Sequence, residues 1–182
     1  MDLFAEDIIA FGRAFAMPNA ETFSMGPVAS FVRRWRDAVH GEGIDPFARN
    51  KKIVALTNDI DPATSAQYHM DAEEFCHSIH EAGTRCAFAL FDPPYSPRQI
   101  SECYKGFGRE VTTKDTQNAA LYKRVRDALD LLILPGGVVL SFGWSSSGMG
   151  KTRGYKIEEI LLVAHGGAHN DTICIAERKM RQ

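Results

Sequence analysis

The chain has 182 residues, of which 45% are hydrophobic and 24% charged, and its formal net charge is −2. This length can bury a substantial core but leaves no room for two full catalytic domains. The composition excludes a disordered or fibrous protein, and the net charge excludes a uniformly basic protein that wraps nucleic acid. We therefore expect one domain over residues 1–182.

Cysteine usage and hydropathy predict the compartment. Cys76, Cys86, Cys103 and Cys174 form no C-x-x-C pair and have no zinc-finger spacing, so we expect reduced thiols. No run of about 18 apolar residues occurs, and the N-terminus lacks the cationic start of a secretory signal. The histidines show no spacing that predicts a metal site. The sequence therefore predicts a cytoplasmic protein with no metal and no membrane association.

The first half of the chain predicts helices around one strand. Residues 28–39 have apolar side chains at helical spacing. After them, 44–47 (IDPF) is predicted as a turn and 51–57 (KKIVALT) as a buried strand. One or two helical turns are expected within 62–69, and a helix over 72–82 that ends at Gly83.

The second half predicts alternating strands and helices. CAFALF (86–91) is typical of a buried strand, 116–134 of a helix, and 138–144 of another strand. Residues 157–165 and 171–177 flank a glycine-rich connection and predict a terminal antiparallel pair. Together these elements predict a three-layer α/β fold. Ligands of such folds bind beyond the carboxyl ends of the strands, where the acidic turns after 51–57 and 86–91 are expected.

The most informative tetrapeptide is Asp92-Pro93-Pro94-Tyr95, which follows the predicted buried strand. The two prolines fix φ and remove two backbone donors, so the turn is stiff and lined by acceptors. The carboxylate of Asp92 and the carbonyl of Pro93 can accept from an exocyclic amine, and Tyr95 offers a face for a planar base. Two acceptors on one amine favour a pyramidal nitrogen with an available lone pair. The alternative is a Pro-Pro turn with no chemistry.

With this motif the chain resembles the amino-methylating DNA methyltransferases, and more narrowly the small adenine-specific enzymes of phages and prophages, some of restriction-modification type. The resemblance covers about residues 17–178 and rests on segments 17–32, 44–50, 57–62, 68–75, 91–99 and 161–179. It implies a Rossmann-like methyltransferase fold, S-adenosylmethionine as methyl donor, and Asp92, Pro93, Pro94 and Tyr95 as the catalytic motif. The acceptor would be the N6 amine of an adenine flipped out of the DNA and attacking the methyl group in line.

The resemblance also implies a set of donor-binding residues. Asp45, Pro46 and Phe47 match the first cofactor motif, although Ala48, Arg49 and Asn50 supply none of its usual glycines. Asp59 matches the acid that binds the ribose, with Asp61 as a competing candidate. Asp71-Ala72 matches the contact to the donor's adenine, and Thr22, Phe23 and Ser24 match the motif near its methionine tail. Helix capping is an equal alternative for Asp71 and Thr22, and core packing is favoured for Phe23.

Charge is divided unevenly along the chain. Residues 1–97 carry 8 Lys/Arg and 14 Asp/Glu, whereas 98–182 carry 13 and 9. We expect DNA contacts in two loops, 98–118 and 145–156, the second a mobile glycine-hinged loop beside the active site; a merely solvated loop is the alternative. The candidate phosphate contacts are Arg98, Lys105, Arg109, Lys114, Lys151 and Arg153.

The leading hypothesis is a DNA adenine N6 methyltransferase. The alternatives are methylation of cytosine N4, methylation of adenine in RNA, and a non-catalytic module that binds nucleic acid or cofactor. Because little chain remains for reading base edges, we expect a short or relaxed recognition sequence, or the help of a second subunit in a homodimer. For Phe142 and Trp144, at the end of a strand, core packing is predicted over base stacking.

Overall fold

The computed structural model describes residues 9–94, 118–167 and 169–181, with the side chains of the third helix described from residue 122. It contains seven strands: β1 (Ala10–Phe15), β2 (Gly43–Asp45), β3 (Leu56–Thr57), β4 (Cys86–Phe91), β5 (Ile133–Gly143), β6 (Tyr155–Ala164) and β7 (Thr172–Lys179). Three α-helices are described: α1 (Gly26–Asp37), α2 (Ala72–Glu81) and α3 (Asn118–Leu132). Short 3-10 turns occupy Thr22–Ser24 and Lys151–Arg153.

The strands form one sheet in the order β1-β6-β7-β5-β4-β2-β3. All described neighbours are parallel except β7, which runs opposite to both β5 and β6. Helix α1 covers one face, and α2 and α3 pack together on the other. The predicted three-layer α/β fold, mostly parallel with a C-terminal antiparallel pair, is therefore confirmed.

Each face of the sheet has its own apolar core, as strand alternation requires. Val28, Phe31 and Val32 of α1 pack on Leu90 and Leu140. On the opposite face, α2 and α3 pack on the alternate residues of β4 and β5, with side chains that include Phe75, Ile79, Leu129, Leu132, Ala89, Phe91 and Val139. Strand β4 is buried along its whole length because it lies between the two cores.

The structure corrects the prediction for the segment between α1 and α2. The buried strand β2 is Gly43–Asp45 and overlaps the predicted turn 44–47, whereas only Leu56–Thr57 of the predicted strand 51–57 forms β3. Residues 62–69 form turns and bends and contain no helix. Short strands are hard to recognise because a two- or three-residue ladder has no measurable periodicity.

Two further differences lie in the other half of the sheet. The unpredicted strand β1 pairs only with β6 and forms an edge of the sheet. Residues 144–154 connect the parallel strands β5 and β6 without an α-helix, and Met149 of this segment is fully buried. Gly148 and Met149 of the segment predicted as a mobile loop are buried, whereas residues 144–147, 151 and 152 are exposed. The buried Glu177 of β7 accepts hydrogen bonds from the N–H groups of Met149 and Gly150.

Candidate functional site

The ends of β2, β3 and β4 bring three predicted acidic residues to one edge of the sheet. Asp45 is the last residue of β2, Asp59 follows β3 by two residues, and Asp92 follows β4 directly. The three strands are parallel neighbours, so their carboxyl ends lie side by side. This is the edge where α/β proteins bind ligands.

Asp45 is the most unusual of these acids because its side chain is completely buried. Its Oδ1 accepts from the N–H of Phe47 at 3.0 Å, whereas its Oδ2 is buried without a hydrogen-bond partner. Burial raises the pKa of Asp45 to about 8; the bond from Phe47 opposes this rise, and the charges of Asp92 and Asp59 add to it. A buried carboxyl group with an unpartnered oxygen is a candidate receptor for a cationic or hydrogen-bonding ligand.

Asn58 is not among the site residues predicted from sequence, and its side chain links the segments that form this edge. It is fully buried, and its Nδ2 donates to the carbonyls of Pro46 and Met70, both at 3.1 Å. Its Oδ1 accepts from the N–H of Met70 at 3.0 Å. Asn58 therefore connects the turn after β2, the end of β3 and the entry to α2. An asparagine beside an acid after a strand is its only sequence signal.

The turn after β2 has a backbone conformation that is typical of glycine, although it contains no glycine. Arg49 has φ of +49°, the left-handed region that costs a side-chain-bearing residue about 1 kcal/mol or more. Its N–H donates to Oδ2 of Asp59 at 3.1 Å. Arg49 therefore adopts the left-handed conformation at the position where the enzymes that this chain resembles have a glycine. The turn approaches Asp59 although it contains arginine instead of glycine. No helix lies between β2 and β3.

Asp59 and Asp61 differ in what they bind. Asp59 accepts from the N–H groups of Arg49 and Asp61, and burial raises its pKa while these two bonds lower it. Asp61 instead accepts from the N–H of Ala63 and closes its own local turn. Asp59 is therefore the acid that contacts the β2 turn at the sheet edge.

The N-terminal candidates Thr22, Phe23 and Ser24 lie in a 3-10 turn before α1. Lys51 donates to Oγ of Ser24 at 3.0 Å, and Arg49 donates to the carbonyl of Ala20 at 2.9 Å, so the β2 turn holds this segment. Phe23 packs edge-on against Phe142 with ring centroids 5.1 Å apart, the core role favoured by sequence. Thr22 is not a helix N-cap, because α1 begins after Met25.

Asp71 and Ala72 lie at the start of α2. Asp71 is the N-cap of the helix, and its Oδ1 accepts from the N–H of Glu73 at 2.9 Å. The neighbouring Met70 is bound by Asn58, which brings this helix end beside the acidic edge. The capping role is therefore present at the position where a donor contact is predicted.

The Asp92-Pro93-Pro94 turn is half-buried and held from α3. Pro93 is buried, and the hydroxyl of Tyr122 donates to the carbonyl of Pro94. Tyr122 also packs edge-on against Phe91, which in turn contacts Phe47 edge-on at 5.7 Å. Tyr122 is thus a positioning residue for the turn that the sequence analysis missed. Tyr95 lies outside the described residues.

The two described residues among the predicted nucleic-acid contacts, Lys151 and Arg153, do not lie at this edge. Arg98, Lys105, Arg109 and Lys114 lie outside the described residues, and Lys151 and Arg153 lie at the opposite end of the sheet. The pairing of β7 places Lys156 level with Val138, and Leu162 level with Gly143. The chain therefore travels about 20 Å between the end of β5 and the start of β6.

Arg153 has a structural role in that position. Its side chain is 17% exposed, and its guanidinium binds the carboxylate of Asp127 on α3 and donates to the carbonyl of Met149 at 2.8 Å. This ion pair lowers the pKa of Asp127. The prediction that segment 145–156 passes the active site is therefore wrong for its second half, because β6 must start at the amino end of the parallel strands.

Other chemistries find no support among the described residues. Burial raises the pKa of the Cys76 thiol to about 12 and that of Cys86 to about 11, so both stay protonated near neutral pH. No group of three or more His, Cys, Asp or Glu in the described part of the chain is placed to hold a metal ion. No described helix is long and apolar enough to cross a membrane.

Comparison with solved structures finds this fold in methyltransferases. TrmN from Thermus thermophilus matches with a TM-score of 0.54 and 18% identity, over 86% of this chain and 49% of TrmN. The N-methyltransferase NodS from Bradyrhizobium japonicum matches with 0.54 and 9%, over 84% of this chain and 94% of NodS. The putative methyltransferase yhhF from Escherichia coli matches with 0.51 and 12%, over 91% and 92%.

The chain thus spans about half the length of TrmN and nearly all of the two other proteins. No protein-family model and no curated protein matches it. The sequence identities are low, so the likeness concerns the backbone. The protein has the Rossmann-like fold of the methyltransferases.

Proposed function

We propose that the protein is an S-adenosylmethionine-dependent DNA methyltransferase that methylates the N6 amine of adenine. The observation that carries this proposal is the position of Asp92. It leaves β4 on a turn stiffened by two prolines and lies close enough to the buried Asp45 for its charge to raise the pKa of Asp45. An acceptor for an amine is therefore next to a candidate receptor for a cation, on a methyltransferase fold.

The residues at the sheet edge fit the donor in four respects. The unpartnered Oδ2 of Asp45 suits a positively charged ligand, and Asp59 suits a ribose diol. The left-handed Arg49 preserves the turn that brings these two acids together. The 3-10 turn Thr22–Ser24 is held beside this turn by Lys51. When bound, S-adenosylmethionine supplies an electrophilic methyl group.

The role of the chain's own residues is to position the acceptor amine. Because Tyr122 engages the carbonyl of Pro94, the carbonyl of Pro93 is the candidate partner of Asp92 in the turn. Both groups accept N–H bonds from the flipped adenine, which orients the nitrogen lone pair without a covalent enzyme intermediate. The fold of this turn against Phe91 and Tyr122 excludes water from one side.

The test is methyl transfer from labelled donor to unmethylated duplex DNA. Asp92→Asn should lower turnover by at least about 100-fold, because one of two acceptors for the amine is lost. Donor affinity, measured by calorimetry, should stay within about threefold. Asp37→Asn is the matched control, since Asp37 lies at the exposed end of α1. Undiminished transfer by Asp92→Asn would refute the mechanism.

The acceptor is decided by mass spectrometry of nucleosides from the same reaction. N6-methyladenine from DNA supports the proposal, whereas N4-methylcytosine, or N6-methyladenine from added RNA alone, assigns the same site to another acceptor. If calorimetry shows no donor binding at millimolar concentration, the chain is instead a non-catalytic binding module.

A further inference from the structure

The edge strand β1 exposes two aromatic side chains. Phe11 is 67% exposed and Phe15 is 65% exposed, although both lie within the strand. They share a face with Arg13, because alternate residues of a strand point to the same side. On the opposite face, a Cβ added at Gly12 would lie 3.3 Å from Cδ1 of Leu161, which packs against the core under α1. The two phenyl rings therefore point away from that core.

The backbone of β1 has a row of hydrogen-bonding groups on the side away from β6. Among the described residues, β1 pairs with β6 alone, in a continuous parallel register. The N–H of Ala16 donates to the carbonyl of Ala164, so strand alternation directs the backbone groups of the even-numbered residues to β6. The N–H and C=O groups of Phe11, Arg13 and Phe15 consequently point outward, where an added strand can bind them.

Strand β1 lacks the usual protection of an edge strand. Natural proteins keep edge strands from pairing with lysine, proline, inward-pointing charges or a bulge. The sequence of β1, AFGRAF, contains no proline, lysine or acidic residue, and Arg13 is its single charge. An exposed aromatic edge of this kind is expected to pair with another strand.

A second copy of the chain is a partner that fits this edge. When two β1 strands pair antiparallel about a twofold axis at Arg13, Phe11 of each copy lies opposite Phe15 of the partner subunit. Aromatic pairs in these positions stabilise antiparallel sheets, whereas the two arginines at the axis repel each other. The opposite edge strand of the sheet, β3, has only two residues, so it offers β1 a much shorter ladder. A closed twofold dimer is therefore favoured over an open chain of copies.

We propose that β1 is a homodimer interface, in which two copies pair their β1 strands antiparallel with Arg13 at the twofold axis. The two seven-stranded sheets then form one continuous sheet. This inference goes beyond the proposed function and does not rest on it. The axis reverses the strand direction, so the two carboxyl edges, each with its Asp92, lie at opposite ends of the joined sheet. Each candidate site therefore acts alone, without help from the second subunit in reading bases.

The exposed apolar surface of β1 determines the strength of this dimer. Ile9 and Met17 flank the strand and are 41% and 70% exposed. Together with Phe11 and Phe15 they offer roughly 500 Å² of side-chain surface per copy, which is less than the roughly 800 Å² per partner of a standard interface. We therefore expect a dissociation constant in the micromolar range.

Sedimentation velocity at protein concentrations from about 1 to about 500 µM measures this association. The wild type should change from one chain to two within this range. Phe11→Lys should weaken the association at least about tenfold, because the interface then buries an unpaired charge. Leu131→Lys is the matched control, since Leu131 is 47% exposed on α3, and it should leave the association unchanged. Thermal melting of each variant reports folding.

A charge exchange tests the register. Positions 11 and 15 lie opposite each other across the axis, whereas within one chain they are about 13 Å apart along the strand. Phe15→Glu alone should weaken the association as Phe11→Lys does. The double variant Phe11→Lys/Phe15→Glu should associate at least about fivefold more tightly than either single variant at low salt, because two ion pairs form between the copies. High salt should remove this gain.

The outcomes separate the dimer, its interface and its register. A wild type that stays monomeric over the whole concentration range would overturn the dimer and assign the edge to a strand of another protein. A dimer that Phe11→Lys weakens no more than Leu131→Lys does would overturn β1 as the interface. Absence of any gain in the double variant would overturn the register with Arg13 at the axis. None of these results depends on methyl transfer, so the proposed function is tested separately.

Discussion

The two halves of the sheet are built in different ways. On one side of β4, strands β2 and β3 have only three and two residues, and on the other side β5, β6 and β7 have 11, 10 and 8. The long strands are stabilised by continuous ladders of backbone hydrogen bonds. The short ones depend on side chains, chiefly Asn58 and Asp59, to hold the turns that follow them.

The long-strand half is therefore the structural scaffold, and the short-strand half contains the candidate site. In the long-strand half, the buried carboxylate of Glu177 accepts from two backbone N–H groups, whereas the hydroxyls of Ser141 and Tyr155 are buried without a hydrogen-bond partner. In the short-strand half, Asp45 keeps a buried oxygen without a partner. Substitutions in the first half should therefore change stability alone, and substitutions in the second should change ligand binding as well.

The largest effect on stability is expected from Gly148→Ala in the long-strand half. A Cβ at this position would lie 1.8 Å from Oε2 of the buried Glu177, so the carboxylate must move and lose its backbone partners. We expect a loss of about 3 kcal/mol or more in the free energy of unfolding, measured by urea denaturation. Gly26→Ala is the control, because no atom lies within 4 Å of its Cβ. Equal stability of the two variants would contradict the anchoring role of Glu177.

A somewhat smaller loss of stability is expected from Asn58→Ala, but with a loss of ligand binding. The substitution removes three hydrogen bonds and leaves the carbonyls of Pro46 and Met70 buried without this donor. We expect about 2–3 kcal/mol of destabilisation together with at least a tenfold weaker affinity for S-adenosylmethionine by calorimetry. If donor affinity is retained in the folded variant, the short-strand half does not form the donor site.

Asp45→Asn should have an effect that depends on pH. The pKa of Asp45 is raised to about 8, so the folded protein binds this proton more tightly than the unfolded chain does. The wild type should therefore lose stability as the pH rises from about 4 to about 8, and the asparagine variant should not share this loss. At pH 8.5 we expect the variant to be more stable by more than about 1 kcal/mol relative to the difference at pH 5.5. Parallel pH profiles of unfolding would contradict this.

The same pKa predicts a proton linkage to the donor. A cation bound near Asp45 favours its ionised form, so binding of S-adenosylmethionine at pH 7 should release a proton. Calorimetry in buffers of different ionisation enthalpy measures this release, which Asp45→Asn should abolish. No release by the wild type would indicate that the donor's charge lies elsewhere.

The smallest effect on stability is expected from Arg49→Gly. Glycine relieves the left-handed conformation at φ +49°, while the bond to Ala20 and the ion pair with Glu21 are lost. These contributions nearly cancel, so the free energy of unfolding should change by less than about 1 kcal/mol. Donor affinity should nevertheless change, because the segment that contains Thr22 loses its two contacts to Arg49 and keeps the hydrogen bond from Lys51 to Ser24. Unchanged affinity would show that the contacts of Arg49 with this segment are not needed for donor binding.

Much of the fold could be predicted because local patterns determine it. The apolar run of β4, the periodicity of α2 and its N-cap Asp71 are all readable from residues close together in sequence. The carboxyl edge also follows, since strands that alternate with helices run parallel. In contrast, β2 is too short for a pattern, and Trp144, for which core packing is predicted, lies in a bend after the end of β5 and is 45% exposed.

The sequence by itself therefore determined the layer architecture and the position of Asp92 at the carboxyl ends of the strands, where such folds bind ligands. Only the tertiary structure decided that Asp45 is buried with an unpartnered oxygen, that Asn58 connects three segments, and that Arg153 pairs with Asp127 at the far end of the sheet. The physical reason is the distance along the sequence over which each effect acts. Propensity and periodicity act over a few residues, whereas burial and charge pairing depend on segments tens of residues apart.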